Sequence, residues 1–165
     1  VGNGPFIARA RRARKLIGGG MRQAGVLAAA GLVALGRGPE GDGGMIGRLA
    51  EDHANARRLA AGLGQLDGIR SPGGIAQPEA LGERLDPRHI ATNFVLFRVD
   101  RDRAAFLRAL EARGVLLVPY ANGQVRAVTH HGITANDIDR TVAAVADALR
   151  ETAPARADHV APSAV

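Results

Sequence analysis

Asn93-Phe94-Val95-Leu96-Phe97-Arg98-Val99 is the stretch on which the reading of the fold turns. It is β-branched and aromatic, which marks a strand. Asp100 or Asp102 can cap the helix that follows to Arg113, with Phe106, Ala109 and Leu110 facing inward. Gly114 is the expected stop of that helix. Val115–Val118 reads as a second short strand, Pro119-Tyr-Ala-Asn-Gly123 as a turn and Gln124–Thr129 as a third strand. Thr134 caps a last helix, with Asp137 three residues on as its capping-box partner. Ile138, Val142, Val145 and Leu149 form the buried face of that helix. The order strand–helix–strand–strand–helix describes a small α/β lobe with helices on one face of the sheet.

Toward the N-terminus, Arg70–Arg88 has three Pro, three Gly and no period, and reads as a long surface insertion. Before it a helix is expected from Met45 to Leu66, with Ile46, Leu49, Ala50, His53, Ala56, Ala60 and Leu63 as its inner stripe; His53 then sits in the core or at its rim. Gly36–Gly44 is expected to be a flexible loop. The helix expected over Met21–Leu35 is small or apolar on nearly every face, a pattern of burial on all sides whose partners are missing from so short a chain or lie on another subunit. Pro5 to Ile17 reads as a helix ended by Gly18-Gly19-Gly20. Residues from Thr152 onward are expected to be a frayed tail.

Of 165 residues, 46% are hydrophobic and 23% charged, a composition of globular proteins. The longest apolar run, Ala24–Leu35, is too short to span a bilayer. There is no cysteine, so disulfides, thiolate metal sites and a cysteine nucleophile are excluded. The chain starts with Val1, which suggests a fragment, a processed product or a non-standard start. The net charge of +6 is concentrated in residues 1–22, where Arg9, Arg11, Arg12, Arg14, Lys15 and Arg22 stand without an acid. That footprint suits a nucleic-acid arm. Aromatic residues, however, are only 3% of the chain, with no Trp, so stacking platforms for single strands are missing. A solvated helix face, or charges serving a phosphate or carboxylate site in a larger assembly, explains the same residues. Only one of the 22 basic residues is lysine, and that bias resembles GC-rich coding more than selection for nucleic acid.

Two segments carry site chemistry. In Lys15-Leu-Ile-Gly-Gly-Gly-Met-Arg-Gln23, glycines ahead of a helix leave N–H groups unpaired, and Lys15 and Arg22 add positive charge. The set suits a phosphate or carboxylate; a simple helix break is the alternative, and the glycine spacing is not that of a Walker loop. In Gln124-Val-Arg-Ala-Val-Thr-His130, Arg126 interrupts an apolar strand. An arginine there can hold a carboxylate with two parallel hydrogen bonds, or it can point to water from an edge strand. His130 and His131 face opposite sides if the strand continues, and no carboxylate stands nearby at ligand spacing, so no metal site is expected.

The run Arg14-Lys-Leu-Ile-Gly-Gly-Gly-Met-Arg-Gln-Ala-Gly-Val-Leu-Ala-Ala-Ala-Gly31 resembles the stretch after the cofactor lysine in low-specificity L-threonine aldolases, β-eliminating lyases of fold-type I. Glu51-Asp-His-Ala-Asn-Ala56, Asp86-Pro87, Thr92-Asn93 and Val125-Arg-Ala-Val-Thr-His130 follow in the family's order, so the resemblance covers about residues 1–150. It implies an α/β fold made of connecting helices plus the small C-terminal α/β domain of a pyridoxal phosphate-dependent, aspartate aminotransferase-like enzyme. On that reading residues 1–43 are inter-domain helices, 44–151 the small domain and 152–165 a disordered tail. Arg126 matches the arginine that holds the substrate α-carboxylate, and Lys15 and Arg22 match basic residues at the active-site mouth near the cofactor phosphate.

The resemblance also implies that the Schiff-base lysine lies in a motif upstream of Val1, together with the ring-stacking histidine and the acid that pairs with the pyridine nitrogen. The 165 residues alone are therefore expected to be inactive. The intact enzyme would use pyridoxal 5'-phosphate to cleave L-threonine and other β-hydroxy-α-amino acids to glycine and an aldehyde. It would be a cytoplasmic homo-oligomer, dimer or tetramer, with a small amino-acid substrate and no membrane or nucleic-acid partner. A basic module for nucleic acid or another polyanion, and a non-functional remnant, are the alternatives.

Overall fold

The computed structural model describes residues 2–36, 45–73 and 81–152. The loop expected over Gly36–Gly44 lies almost entirely outside them, as do the middle of the 70–88 insertion and the tail beyond Thr152. The chain divides into two compact units, residues 1–47 and 48–165.

The first unit holds two helices. Helix α1 spans Gly4–Leu16, with Pro5 in its first turn and the Asn3 side chain accepting from the Phe6 N–H at 3.0 Å. Its end is the expected one, since Gly18 takes φ +76°, a conformation open to glycine. Helix α2 spans Gly25–Ala34, shorter than the expected Met21–Leu35. Among the described residues α2 lacks the partners that its apolar surface calls for, as expected: Val26, Leu27 and Val33 are 75%, 66% and 60% exposed.

The second unit begins with α3 (Leu49–Leu63), shorter than the expected Met45–Leu66. Its buried face is Asp52, Asn55, Ala56, Leu59, Ala60 and Leu63. The expected stripe is thus rotated: Ile46 and Leu49 are exposed, Leu59 replaces them, and His53 sits half-buried at the rim. Two polar residues take inward positions because their side chains are satisfied there, Asp52 by Arg48 at 3.3 Å four residues earlier and Asn55 by a distant segment. The Asn55 Nδ2 donates to the Ile133 carbonyl at 2.9 Å, and the Asp52 carbonyl accepts from the Thr129 hydroxyl at 2.6 Å.

Four antiparallel strands follow in the spatial order β1-β2-β4-β3. They are β1 (Ile69–Arg70), β2 (Phe94–Val99), β3 (Val118–Pro119) and β4 (Val125–Val128). Strand β1 corrects the reading of 70–88 as wholly irregular, because Ile69 and Arg70 pair with Val99 and Arg98. Leu85, inside the same stretch, is buried. The expected strand Val115–Val118 reduces to Val118–Pro119, with Val115–Leu117 unpaired. Helix α4 (Arg103–Glu111) starts on Asp102, whose carboxylate accepts from the Ala105 N–H at 2.7 Å. Helix α5 (Ala135–Glu151) opens on the Thr134–Asp137 capping box.

Val95, Phe97, Val125 and Ala127 point from β2 and β4 into one core with Leu59, Leu63, Phe106, Leu110, Ile138, Val145 and Leu149. The helices therefore cover one face of the sheet, as two-residue alternation along β2 and β4 requires. The residues between these, Phe94, Leu96, Arg98, Arg126 and Val128, form the opposite, uncovered face.

Candidate functional site

Arg126 stands near the middle of that open face. Its strand β4 lies between β2 and β3, so the edge-strand alternative is excluded. Register sets Leu96 on one side of Arg126 and Val118 on the other. Two of the diagonal neighbours are aromatic. Phe94, opposite Val128, has its ring centroid 5.8 Å from the guanidinium carbon, and Tyr120, beyond the β3 end, has its centroid at 5.5 Å. Diagonal cross-strand spacing is within reach of aromatic and long side chains, and both distances fall within the range for cation–π attraction.

The electrostatics of Arg126 are unbalanced. Its Nε is buried without a hydrogen-bond partner, and no ion pair reaches the guanidinium among the described residues. Arginines elsewhere in the unit have acidic partners: Arg70 pairs with Asp100 at 3.1 Å and Arg113 pairs with Glu151. Arg98, two residues along β2 from Leu96, shares the open face and also has a buried, unpartnered Nε. A buried donor without a partner costs about 1–3 kcal/mol; what this face leaves open to an oxyanion is the unpaired charge of the guanidinium, reached from its Nη edge.

The turn carrying Tyr120 is rigidly tied. Arg103, from the first turn of α4, donates from Nη1 to the carbonyls of Tyr120 and Gln124 at 3.0 and 3.1 Å. The Tyr120 N–H donates to the Gln124 carbonyl at 2.8 Å. Asn122 and Gly123 complete the reversal at φ +55° and +76°, a left-handed conformation these two residue types tolerate.

Lys15 and Arg22 belong to the first unit and are exposed. The glycine triplet does not open α2 directly, because Met21–Ala24 intervene and the N-cap position, Ala24, has no side-chain acceptor. Lys15 folds back toward Gly20, its Nζ 3.5 Å from where a β-carbon there would lie. The His130 Nδ1 lies 2.8 Å from the His131 carbonyl, and among the described residues no cluster of acids and histidines is arranged to hold a metal. No helix there is long and apolar enough to cross a membrane.

Phe94 and Tyr120 were not legible as site residues, since only the strand register brings them to Arg126. The motif residues outside the site have structural work. Asn93 donates from Nδ2 to the Thr129 carbonyl at 2.7 Å and accepts the Thr129 N–H at 3.0 Å, joining Thr92-Asn93 to the Val-Thr-His segment.

The family model described as beta-eliminating lyase matches residues 1–78. Low-specificity L-threonine aldolase 1 of Arabidopsis thaliana is 35% identical over 153 residues, 90% of this chain and 37% of that protein. Low specificity L-threonine aldolase of Escherichia coli (strain K12) is 36% identical over 144 residues, 87% of this chain and 35% of that protein. The chain thus spans little more than a third of the length of the curated relatives it matches. A solved complex of the cystine C-S lyase C-DES with its reaction product cysteine persulfide aligns with a TM-score of 0.49 at 22% identity, covering 64% of this chain and 25% of that one.

Proposed function

We propose, from the premise that this chain belongs to the β-eliminating lyase family, that it forms the C-terminal portion of a pyridoxal phosphate-dependent threonine aldolase and supplies the side of the active site that binds the substrate carboxylate. The observation that carries this reading is Arg126: a guanidinium on a central strand, flanked by two rings, with a buried Nε and no anionic partner. Arg126 binds the α-carboxylate of a β-hydroxy-α-amino acid through two parallel charge-assisted hydrogen bonds and thereby fixes the plane of the substrate. The products are glycine and an aldehyde.

Pyridoxal phosphate, where bound, supplies the electron sink for such a cleavage. The described residues do not form a seat for its ring. The single lysine, Lys15, lies exposed at the end of α1, with no enclosing pocket for a Schiff base. Lys15 and Arg22 contribute positive charge toward the cofactor phosphate, and the Schiff-base lysine belongs to the remaining length of the relatives. In this reading the exposed apolar α2 is covered in the assembled, cytoplasmic homo-oligomer. The small sheet and its helices are the C-terminal lobe of an aminotransferase-like fold.

The test is complementation. The chain is co-expressed with a polypeptide supplying the part of the relatives that it does not span, and acetaldehyde release from L-threonine is assayed with the cofactor. Release by the pair and none by the 165 residues alone is expected. Cleavage by the chain alone, or an assembled pair that leaves threonine intact, overturns the reading.

A further inference from the structure

We propose that Phe94 and Tyr120 are positioning residues whose rings clamp the Arg126 guanidinium, leaving only its Nη edge to meet an anion, and that this clamp selects a planar carboxylate over a tetrahedral oxyanion. The proposal rests on the reading of Arg126 given above and deepens it by naming what sets its specificity.

Four features lead there. Phe94 approaches from the β2 side and Tyr120 from the β3 side, at 5.8 and 5.5 Å, so the guanidinium is held laterally by two strands at once. The buried Nε removes the side-on mode of binding, in which an anion takes Nε and one Nη together. The Nη atoms are neither buried without a partner nor hydrogen-bonded among the described residues, so they form the open edge. Finally, the Tyr120 main chain is anchored, because Arg103 donates to its carbonyl at 3.0 Å.

An anion on the Nη edge lies in the guanidinium plane with a ring to either side. A carboxylate keeps both oxygens in that plane and makes two parallel hydrogen bonds. A tetrahedral oxyanion directs its further oxygens out of the plane toward the ring faces, which carry negative potential. Arginine held by stacking is also less free to turn, so less entropy is lost on binding.

Tyr120 is the only tyrosine and the chain has no tryptophan, so its emission reports on this site alone. The full chain is titrated with acetate and with methanesulfonate, ions of equal charge, at constant ionic strength. Tyr120 emission is expected to change saturably with acetate and at least threefold more weakly with methanesulfonate. Phe94→Leu, at a half-exposed position, is expected to weaken acetate binding about threefold or more and to reduce the preference. Phe94→Tyr, which restores a ring, is expected to restore both. Arg126→Gln is expected to abolish the response. If Phe94→Leu keeps the acetate affinity and preference while Arg126→Gln abolishes the response, or if the wild-type chain takes both anions equally, the clamp is wrong and the carboxylate reading stands. If Arg126→Gln responds like the wild-type chain, both fall.

Discussion

The Thr129 hydroxyl donates a buried 2.6 Å hydrogen bond to the main-chain carbonyl of Asp52, joining the residue just after β4 to the first turn of α3 across 77 positions of sequence. This bond fixes the helix against the strand that carries Arg126. Thr129→Val keeps the shape and removes the donor, leaving the Asp52 carbonyl with its intrahelical bond alone. The expected loss of stability is about 0.5–1.5 kcal/mol, read as a lowered urea midpoint with an unchanged slope. Thr129→Ser, which keeps the hydroxyl, should lie much closer to the parent. Because Asn93 binds the same residue through both its side chain and its backbone, Asn93→Ala and Thr129→Val should be non-additive in a double-mutant cycle.

Two glycines in and just after α3 respond differently to a methyl group. A β-carbon on Gly64 would lie 2.3 Å from the Leu85 carbonyl oxygen, a backbone atom, and one on Gly62 would lie 2.6 Å from Cγ2 of Val142 on α5. A side chain can give way more cheaply than a main chain. Gly62→Ala also gains about 1 kcal/mol of helix propensity, which partly offsets an overpacking cost of about 1–3 kcal/mol. Gly64→Ala should therefore be the more destabilising by thermal melting. Val142→Ala should rescue Gly62→Ala and leave Gly64→Ala unaided.

Much of this architecture is legible in the sequence because it rests on local signals. Asp102 and Thr134 announce the starts of α4 and α5, Gly114 the stop of α4, and the alternation Val95, Phe97, Val125, Ala127 the buried face of the sheet. The inner face of α3 departs from the apolar stripe because periodicity cannot show that the Asn55 side chain finds a partner 78 residues away or that Arg48 answers the Asp52 carboxylate. Strand β1 is two residues long, too short to carry a period. Arg126 stood out because a charge interrupting an apolar strand needs a reason. Its ring partners did not, since Phe94 and Tyr120 reach it only through the register of three strands.

Acid should loosen the second unit through its paired carboxylates. Asp86 is lowered from 3.8 to about 2, chiefly by the hydrogen bond from the Arg88 side chain. The Thr134 hydroxyl lowers Asp137, and the Arg58 side-chain hydrogen bond lowers Asp139. For each, the folded protein binds its proton less readily than the unfolded chain. The stabilisation is thus complete above the ordinary carboxylate value of 3.8 and is lost as the pH falls toward about 2. Urea midpoints should hold roughly level from about pH 7 to 5 and fall below about pH 4. Asp137→Asn should flatten that fall, and added salt should shrink it, because these pairs are exposed.

Arg126 should act on binding more than on the chemical step. Its bond to the α-carboxylate lies away from the carbon–carbon bond that breaks, so it is made equally in the bound substrate and in the transition state. Removing such a uniform interaction raises KM and leaves kcat nearly unchanged. In the complemented enzyme, Arg126→Ala should lower kcat/KM for L-threonine by about a hundredfold, since a hydrogen bond to a charged group contributes about 1.5–3 kcal/mol. Arg126→Lys should recover little of this, because an ammonium supplies the charge without the planar fork that matches a carboxylate and stacks between Phe94 and Tyr120. Steady-state kinetics on the two variants decide the matter. A drop in kcat with KM unchanged would move Arg126 from substrate binding into the chemical step.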